Sequence, residues 1–310
     1  MGRYVARRLL QMIPVFIGST LLIFLMMYVL PGDPVRTAMG DQQFDPAIVA
    51  SIKKDLGLDQ PVLLQYWHYM TNLVQGDFGT QISSGREISD VISEAFPVTL
   101  RLTLFAFTFV TLVGLGLGIV AGLKPDTLRD RGLLLLTLVL VSMPSFVLGI
   151  LLQWVALEYG GDTFKATVTD STNFSELLLP ATVLAALSLA YVARLTRTSV
   201  AENLRADYMR TAVAKGLPRR RIIGVHLMRN SMIPVVTFLG IEIGNLMTGA
   251  IVTESIFNVR GVGIEIYEAL LRREGATVVG IASLIVLIYL ATSLIVDLLY
   301  AVLDPRIRYA

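Results

Sequence analysis

The stretch from Arg194 to Pro234 reads RLTRTSVAENLRADYMRTAVAKGLPRRRIIGVHLMRNSMIP, and the rest of the chain is organised around it. It holds nine Lys or Arg residues against two acids and lies between two apolar segments. Tyr208 to Lys215 has helical spacing, and Gly216-Leu217-Pro218 ends that helix, because glycine favours a left-handed turn and proline lacks an N–H. A second basic, amphipathic stretch runs to Ile233-Pro234. The pattern predicts two short helices joined by a turn, on the side of a membrane where positive charge collects.

The composition indicates an integral membrane protein. Of the 310 residues, 54% are hydrophobic and 16% are charged, whereas soluble domains are about one quarter charged. The chain has no cysteine, which excludes disulfides, cysteine-ligated zinc and thiol catalysis. His68 and His226 lie far apart and have no metal-ligand spacing. We therefore predict no metal site.

The apolar segments predict six transmembrane helices, since about 20 helical residues span a bilayer. These segments are residues 9–30, 98–123, 133–157, 177–195, 233–253 and 278–303. Seventeen of the 26 basic residues fall in one set of intervening segments, 1–8, 124–131, 194–234 and 304–310. Seventeen of the 24 acids fall in the other set, 31–97, 158–176 and 254–277. This alternation predicts that both termini are cytoplasmic.

The same segments define the expected domains. Residues 1–30 form a cytoplasmic N-terminus and first transmembrane helix, and residues 31–97 an extracytoplasmic subdomain. Residues 98–303 form a five-helix core that includes the basic stretch, and residues 304–310 a cytoplasmic tail. Within the external subdomain we expect helices over Asp45–Leu56, Pro61–Val74 and Ile88–Phe96. The aromatic stripe of Pro61–Val74 suits either the outer membrane interface or packing within the subdomain.

Two helical features are predicted inside the membrane. Four glycines in the second span are spaced for close packing of helix backbones in lipid: Gly114, Gly116, Gly118 and Gly122. They do not indicate a nucleotide loop, because no strand and helix flank them. Pro144 interrupts the third span, and a kink is expected there because proline removes a backbone hydrogen bond.

Acids inside a membrane are costly and face a cavity or a partner. Glu242 lies in the fifth span with Asn245 on the same helical face. Two interpretations stay open: these residues, with Pro144, line a translocation path, or Glu242 is protonated or paired with a neighbouring helix. Asp297, near the inner end of the sixth span, is predicted to be structural and close to Arg306 and Arg308.

No enzyme is predicted from this sequence. It has no GxxxxGK[ST] phosphate loop, so the chain does not bind ATP in that manner, and it has no H-E-x-x-H or G-x-S-x-G motif. No paired carboxylates stand at catalytic spacing in a span.

Nine short stretches and the basic stretch occur in a characteristic order. They are Arg3-Tyr4 with Arg7-Arg8-Leu9-Leu10, Pro31-Gly32-Asp33-Pro34, Leu56-Gly57-Leu58-Asp59-Gln60-Pro61, Gly76-Asp77-Phe78-Gly79, Phe96-Pro97-Val98-Thr99-Leu100, Pro144-Ser145-Phe146, Glu254-Ser255-Ile256-Phe257, Gly261-Val262-Gly263 and Asp304-Pro305-Arg306-Ile307-Arg308. In this order the whole chain resembles the DppB/OppB-type permeases of ABC importers for peptides and nickel. The resemblance implies an all-α integral membrane protein of the type I ABC importer permease kind, in a bacterial cell membrane.

The chain departs from the family pattern in three places. The basic stretch corresponds to the coupling loop, or EAA motif, but lacks the Glu-Ala-Ala that names it. Arg272-Arg273-Glu274-Gly275-Ala276 replaces an Arg-Asp-Tyr-Pro-like stretch, which leaves the contacts of the outer loop open. Glu242 stands where the family pattern has a neutral polar residue, and this difference is expected to affect which substrate is transported.

The resemblance also implies partners. A second homologous permease would complete the pore, and one or two ATPase subunits, which bind the ATP and Mg, would dock on the coupling loop. An extracytoplasmic binding protein would deliver the cargo to residues 31–97 and 254–277. No nucleic acid and no cofactor of this chain are expected. The implied coupling residues are Asp207, Tyr208, Arg210, Thr211, Ala212, Ala214, Lys215, Gly216 and Leu217.

The expected cargo is a di- or oligopeptide, while nickel, haem and glutathione stay open within the same importer class. A stand-alone channel or secondary transporter is the alternative from another class, although the two halves show no clear inverted repeat. In that case the basic stretch would only set topology.

Overall fold

The computed structural model describes residues 2–29, 46–55, 57–160 and 164–303, which form helices and loops without a named β-strand. The helices are α1 (Gly2–Val29), α2 (Pro46–Asp55), α3 (Val62–Val74), α4 (Ile88–Gly122), α5 (Leu128–Ser142), α6 (Ser145–Tyr159), α7 (Phe174–Leu204), α8 (Asp207–Ala214), α9 (219–231), α10 (Ile233–Phe257), α11 (Val262–Leu271) and α12 (Gly275–Leu303). The predicted all-α fold is confirmed. We call the end with α8 and α9 the basic end, and the end with α3 and α11 the acidic end.

Five of the described helices, α1, α4, α7, α10 and α12, are long and apolar enough to cross a membrane. The pair α5 and α6 makes a sixth span only if it is taken as one broken helix, because its two halves meet at 104°. Met143 at the break is extended, since a residue before proline avoids the helical region. The interruption expected at Pro144 is present, but it is a complete break rather than a kink within one helix, because α6 begins directly after the proline.

The second span is longer than predicted. α4 begins at Ile88 and continues through Pro97, so the expected domain boundary at residue 97 falls inside one helix. Its first turns are part of the bundle: Ile88 and Ala95 pack with residues of α11 and α12. A helix in lipid tolerates a proline where neighbouring groups satisfy the freed carbonyl.

Helix α7 forms the centre of the bundle. It packs against α4, α5 and α10 and continues nine residues beyond the predicted end at residue 195. A Cβ atom on Gly118 would lie 2.5 Å from the Thr196 Cβ and 2.6 Å from the Ala193 oxygen. Gly114 and Gly122 also face α7, which confirms close helix packing at these three glycines. Gly116 faces open space, so its predicted role in packing is wrong.

Polar contacts join the elements of the acidic end. Buried Glu254 on α10 accepts hydrogen bonds from the Thr99 hydroxyl of α4 (2.6 Å) and from the Gly263 and Ile264 N–H groups (2.7 and 3.2 Å) that open α11. These bonds bring together three of the stretches that carry the family resemblance. On α3, the Tyr69 hydroxyl donates to Ser283 of α12 (2.8 Å), and burial raises the pKa of Tyr69 to about 12.

Helix α3 has two different faces. The Tyr66 hydroxyl donates to the Ile17 carbonyl of α1 (3.0 Å), whereas Leu63 and Trp67 are 70% and 64% exposed. One face therefore packs on the bundle and the other is open. At the far end of α12, Asp297 pairs with Arg8 of α1 at 3.1 Å. The predicted neighbours of Asp297, Arg306 and Arg308, lie outside the described residues.

Candidate functional site

The predicted break after the first basic helix is a tightly bonded turn. Helix α8 ends at Ala214, and Gly216 has a left-handed φ of +69°. The Gly216 N–H donates to the Val213 carbonyl (2.9 Å) and the Leu217 N–H to the Ala212 carbonyl (3.4 Å). This is a Schellman cap, in which the left-handed glycine lets two backbone N–H groups satisfy the last carbonyls of the helix. The turn therefore fixes the direction in which the chain leaves α8.

Helix α8 has a buried face and an exposed face. Met209 and Ala212 are 4% and 5% exposed and pack with Val200, Ile222 and Leu227, while Leu217 is half-buried against this cluster. The other expected coupling residues are exposed: Asp207, Tyr208, Arg210, Thr211, Ala214, Lys215 and Gly216. The side chains of Ala212 and Leu217, which were expected at a partner, instead anchor α8 to this chain.

Hydrogen bonds fasten α8 and α9 to the central helix. The Tyr208 hydroxyl donates to Asn203 Oδ1 near the end of α7 (2.7 Å). The Ser199 hydroxyl donates to the Ser231 carbonyl (2.8 Å), and the Ser231 hydroxyl donates back to the Ser199 carbonyl (3.4 Å), both within the protein interior. These contacts connect α8 and α9 mechanically to α7.

A buried ion pair supports the same end of the bundle. The Arg197 guanidinium of α7 donates two hydrogen bonds to Asp130 of α5, at 2.8 and 2.6 Å, and the Asp130 side chain is 2% exposed. The Asp126 N–H donates a third at 2.9 Å. Sequence reasoning missed this pair; the available signal was an acid within the short basic segment 124–131. Removing Arg197, whose side chain is 23% exposed, would leave the Asp130 carboxylate in the interior without its charged partner, which is destabilising.

The exposed face of the basic end carries an excess of positive charge. Arg210 and Lys215 lie on or next to α8, and Arg219, Arg220 and Arg221 open α9; all five side chains are exposed. Asp207 is an exposed acid that pairs loosely with Arg210 at 3.7 Å. Such a surface attracts an acidic protein surface or anionic lipid head groups.

A cavity of about 400 Å³ lies between α7 and α10, next to the start of α6. Glu242, which is 4% exposed, lines it and accepts hydrogen bonds from the Ser188 hydroxyl of α7 and from Asn245 Nδ2 (3.2 Å). Both interpretations of Glu242 thus describe part of its surroundings, because it lines a cavity and also bonds a neighbouring helix. Asn245 lines the cavity too. Pro144 does not, and the residue of α6 that lines the cavity is its neighbour Ser145.

An aromatic pair lines the cavity toward the basic end. The rings of Tyr191 and Phe238 stack with centroids 6.2 Å apart, and the Arg194 guanidinium lies 5.3 Å from the Tyr191 ring centroid. Sequence reasoning missed Ser188, Tyr191 and Phe238, although Ser188 and Tyr191 are three residues apart on α7. It also assigned Arg194 to a loop, whereas α7 carries this residue ten positions before its end.

Two family descriptions match the chain. "Binding-protein-dependent transport system inner membrane component" covers residues 114–309, and the corresponding N-terminal description covers residues 1–103. The dipeptide transport system permease protein DppB of Escherichia coli is 36% identical over 100% of this chain and 99% of its own. The glutathione transport system permease protein GsiC of Salmonella choleraesuis is 37% identical over the full length of both.

A solved structure shares the fold. The crystal structure of an amino acid ABC transporter with histidines aligns at a TM-score of 0.55 and 16% identity, covering 68% of this chain and 93% of that one. This alignment shows that the two proteins share a fold.

Proposed function

The chain belongs to the family of binding-protein-dependent transport system inner membrane components, and on that premise we propose that it forms half of the translocation path of an ATP-driven importer for di- or oligopeptides. As a family member it is a multi-pass protein of the bacterial inner membrane. The observation that carries the coupling part of the proposal is the firmly attached α8, which presents an exposed face at the basic end. The proposed peptide cargo rests on the names of the full-length relatives, which are dipeptide permeases.

The orientation follows from the charges. The basic end is cytoplasmic, with both termini on that side, and the acidic end faces outward. A separate binding protein docks on the outer face, built from residues 31–97 and 254–277, and a second homologous permease completes the pore. One or two ATPase subunits, which hold ATP and Mg, dock on the exposed face of α8; this chain hydrolyses no ATP.

Force from the ATPase reaches the cavity through α7. Movement of α8 and α9 pulls on α7 through the Ser199–Ser231 bonds, and α7 carries Ser188 and Tyr191 in the cavity wall. The Asp130–Arg197 pair makes α5 follow the same movement. Glu242 and Asn245 line the translocation path, and the break at Pro144 lets α5 and α6 move separately.

Glutathione is the second candidate cargo. A relative named for glutathione is as similar to this chain as the relatives named for dipeptides, 37% against 35–36% identity. Both cargoes share a terminal ammonium and a terminal carboxylate, so the same cavity suits either.

Reconstitution tests the proposal. This subunit is co-expressed with its companion permease, ATPase and binding protein, and uptake of a radiolabelled dipeptide, glutathione or Ni²⁺ into proteoliposomes is measured. We expect dipeptide uptake that requires ATP, the binding protein and this subunit, and liposomes prepared without this subunit serve as the control. Uptake without ATP or binding protein, or uptake of Ni²⁺ alone, would refute the proposal.

A further inference from the structure

The open face of α3 carries two exposed strips of different polarity. The members of the first strip are apolar and lie four and seven residues apart, so they share one side of the helix: Leu63, Trp67 and Val74. The members of the second strip are polar and lie four and three residues apart: His68, Asn72 and Gln75, the last directly after the helix. The helix therefore has three sides, one against the bundle, one exposed and apolar, and one exposed and polar.

The bundle side of α3 reaches below the ends of two membrane spans. The Tyr66 hydroxyl lies 2.9 Å from the Thr20 hydroxyl, seven residues or about 10 Å from the end of the first span at Met27. The Tyr69 hydroxyl donates to Ser283, eight residues or about 12 Å from the start of α12 at Gly275. The hydrocarbon core of a bilayer is about 30 Å thick. Both hydroxyls therefore lie in the half of the membrane next to the acidic end.

Ring contacts give the level of α3 itself. The Phe24 ring lies 5.4 Å from the Tyr66 ring and 6.0 Å from the Tyr69 ring, measured between centroids. Phe24 is three residues, or about 4.5 Å, from the end of its span at Met27. This level is the boundary between hydrocarbon and head groups, where helices that lie in the membrane surface insert their apolar face by about 5–10 Å.

The charges of the surrounding segment fit this level. Residues 31–97 hold nine acids and four basic residues, and all of these lie outside Val62–Val74. Charged side chains are costly in hydrocarbon, and tryptophan is enriched where hydrocarbon meets head groups. The neighbouring helix α1 is the least buried of the five spans, at 11%, and exposes Leu22 and Met26 in the same half of the membrane. The apolar strip of α3 thus lies beside a surface that faces lipid.

We propose that α3 is an interfacial helix, with its apolar strip in the acyl chains of one leaflet and its polar strip among the head groups. The leaflet is the one at the acidic end, which is the outer leaflet in the orientation given by the proposed function. The inference goes beyond that function because it assigns lipid, rather than the binding protein, to the open face of α3. The binding protein then docks on the remainder of the outer face.

A nitroxide label on α3 tests the proposal by electron paramagnetic resonance. The chain has no cysteine, so Trp67→Cys provides one attachment point in the assembled complex in lipid nanodiscs. Power saturation compares the access of oxygen, which dissolves in hydrocarbon, with that of a nickel chelate, which stays in water. We expect the label at residue 67 to be more accessible to oxygen than to the chelate.

Matched positions calibrate this result. Leu22→Cys serves as the lipid-facing reference on α1, and Ser84→Cys, in an exposed loop of the acidic end, should show the reverse preference. Asn72→Cys, on the polar strip of α3, should admit more chelate than position 67. The complex with the unsubstituted chain, treated with the same label, gives the background from cysteines of the partner subunits. Preference for the chelate at residue 67 would overturn the proposal, because the strip would then face water. Low access of both reagents would overturn it too, because protein would then cover the strip.

Two neighbouring substitutions provide a second test without a label. Trp67→Glu places a charge on the apolar strip, whereas His68→Glu places the same charge on the polar strip one residue away. We expect Trp67→Glu to lower the unfolding temperature of the complex in nanodiscs and His68→Glu to leave it unchanged. Equal unfolding temperatures for the two variants would contradict the proposed lipid contact.

These measurements need neither ATP nor cargo, so they separate this inference from the proposed function. If proteoliposomes import a dipeptide but the label at residue 67 faces water, only the inference about α3 is wrong. If the label faces lipid but no dipeptide is imported, the proposed cargo is wrong and the lipid contact of α3 stands.

Discussion

Gly118 lies where α4 and α7 approach each other most tightly among the helical glycines of α4. Lipid is as apolar as a leucine side chain, so helices in a membrane gain little from hydrophobic burial and depend on close packing. A glycine allows that packing because it places no Cβ between the two backbones. Gly116, two residues earlier on the same helix, provides a matched comparison, because a Cβ added there would meet no atom within 4 Å.

We predict that Gly118→Ala destabilises the protein, whereas Gly116→Ala does not. The added methyl of Gly118→Ala would overlap Thr196 and the Ala193 carbonyl, and such overpacking costs about 1–3 kcal/mol. The measurement is the apparent unfolding temperature of the purified complex, which falls by about 2–4 °C per kcal/mol. Equal unfolding temperatures for the two variants would show that this contact does not limit the packing of α4 on α7.

Individual residues were predicted unevenly. Glu242 and Asn245 stood out because a carboxylate is rare inside an apolar span. Tyr191 and Phe238 did not stand out, because aromatic residues are common in apolar spans. Their role depends on which helix they face, and the sequence does not show this. Asp130 and Arg197 lie 67 residues apart, and only the packing of α5 on α7 brings them together.

The element that links the membrane bundle to its proposed ATPase partner is α8. Its eight residues are held by the Schellman cap at Gly216 and by the buried contacts of Met209 and Ala212. A short helix fixed at its end and along one face moves as a unit, so a push on its exposed face reaches α7.

We predict that Gly216→Pro abolishes transport and uncouples ATP hydrolysis, so that the binding protein no longer stimulates it, while the protein is still expressed. Proline fixes φ near −65°, against +69° at Gly216, and it removes the N–H that donates to Val213. Uptake and binding-protein-stimulated ATP hydrolysis are measured on the reconstituted complex. Normal stimulated hydrolysis by Gly216→Pro would refute the proposed role of α8.

Gly85→Pro is the matched control for this variant. Gly85 also has φ +69° and a bonded N–H, to the Gln81 carbonyl at 2.9 Å, but it lies in a loop at the acidic end. Its replacement should leave the ATPase subunits attached to the complex. Loss of basal ATP hydrolysis from both variants would indicate general misfolding rather than damage to α8.

Elements were predicted better than their ends. The spans and the helix–turn–helix of the basic stretch follow from apolar length and from Gly216-Leu217-Pro218. The junctions did not follow: a helix was expected to end before Pro97 but continues through it, and a kink was expected at Pro144, where the chain instead breaks into two helices. Whether a proline continues or breaks a helix in lipid depends on the groups that surround the freed carbonyl, which composition does not reveal.

At the scale of the whole molecule, the family resemblance read from short stretches is confirmed by matches along essentially the full chain. The fold also brings three of those stretches into contact, since Thr99, Glu254 and Gly263 form one hydrogen-bonded cluster at the acidic end. The bundle thus has a cavity in its middle, a fixed cluster at one end and the attached α8 at the other. This arrangement suits a permease that is driven from its basic end.

Docking of the ATPase subunit on α8 is tested most directly by a photo-crosslinker placed on this helix. The chain has no cysteine, so Thr211→Cys provides a single attachment point on the exposed face, and Ser84→Cys provides one at the acidic end. We predict that the label at residue 211 crosslinks to the co-purified ATPase subunit and that the label at residue 84 does not. A complex that retains its ATPase but crosslinks position 211 only to lipid would contradict it, and the basic stretch would then serve to set topology.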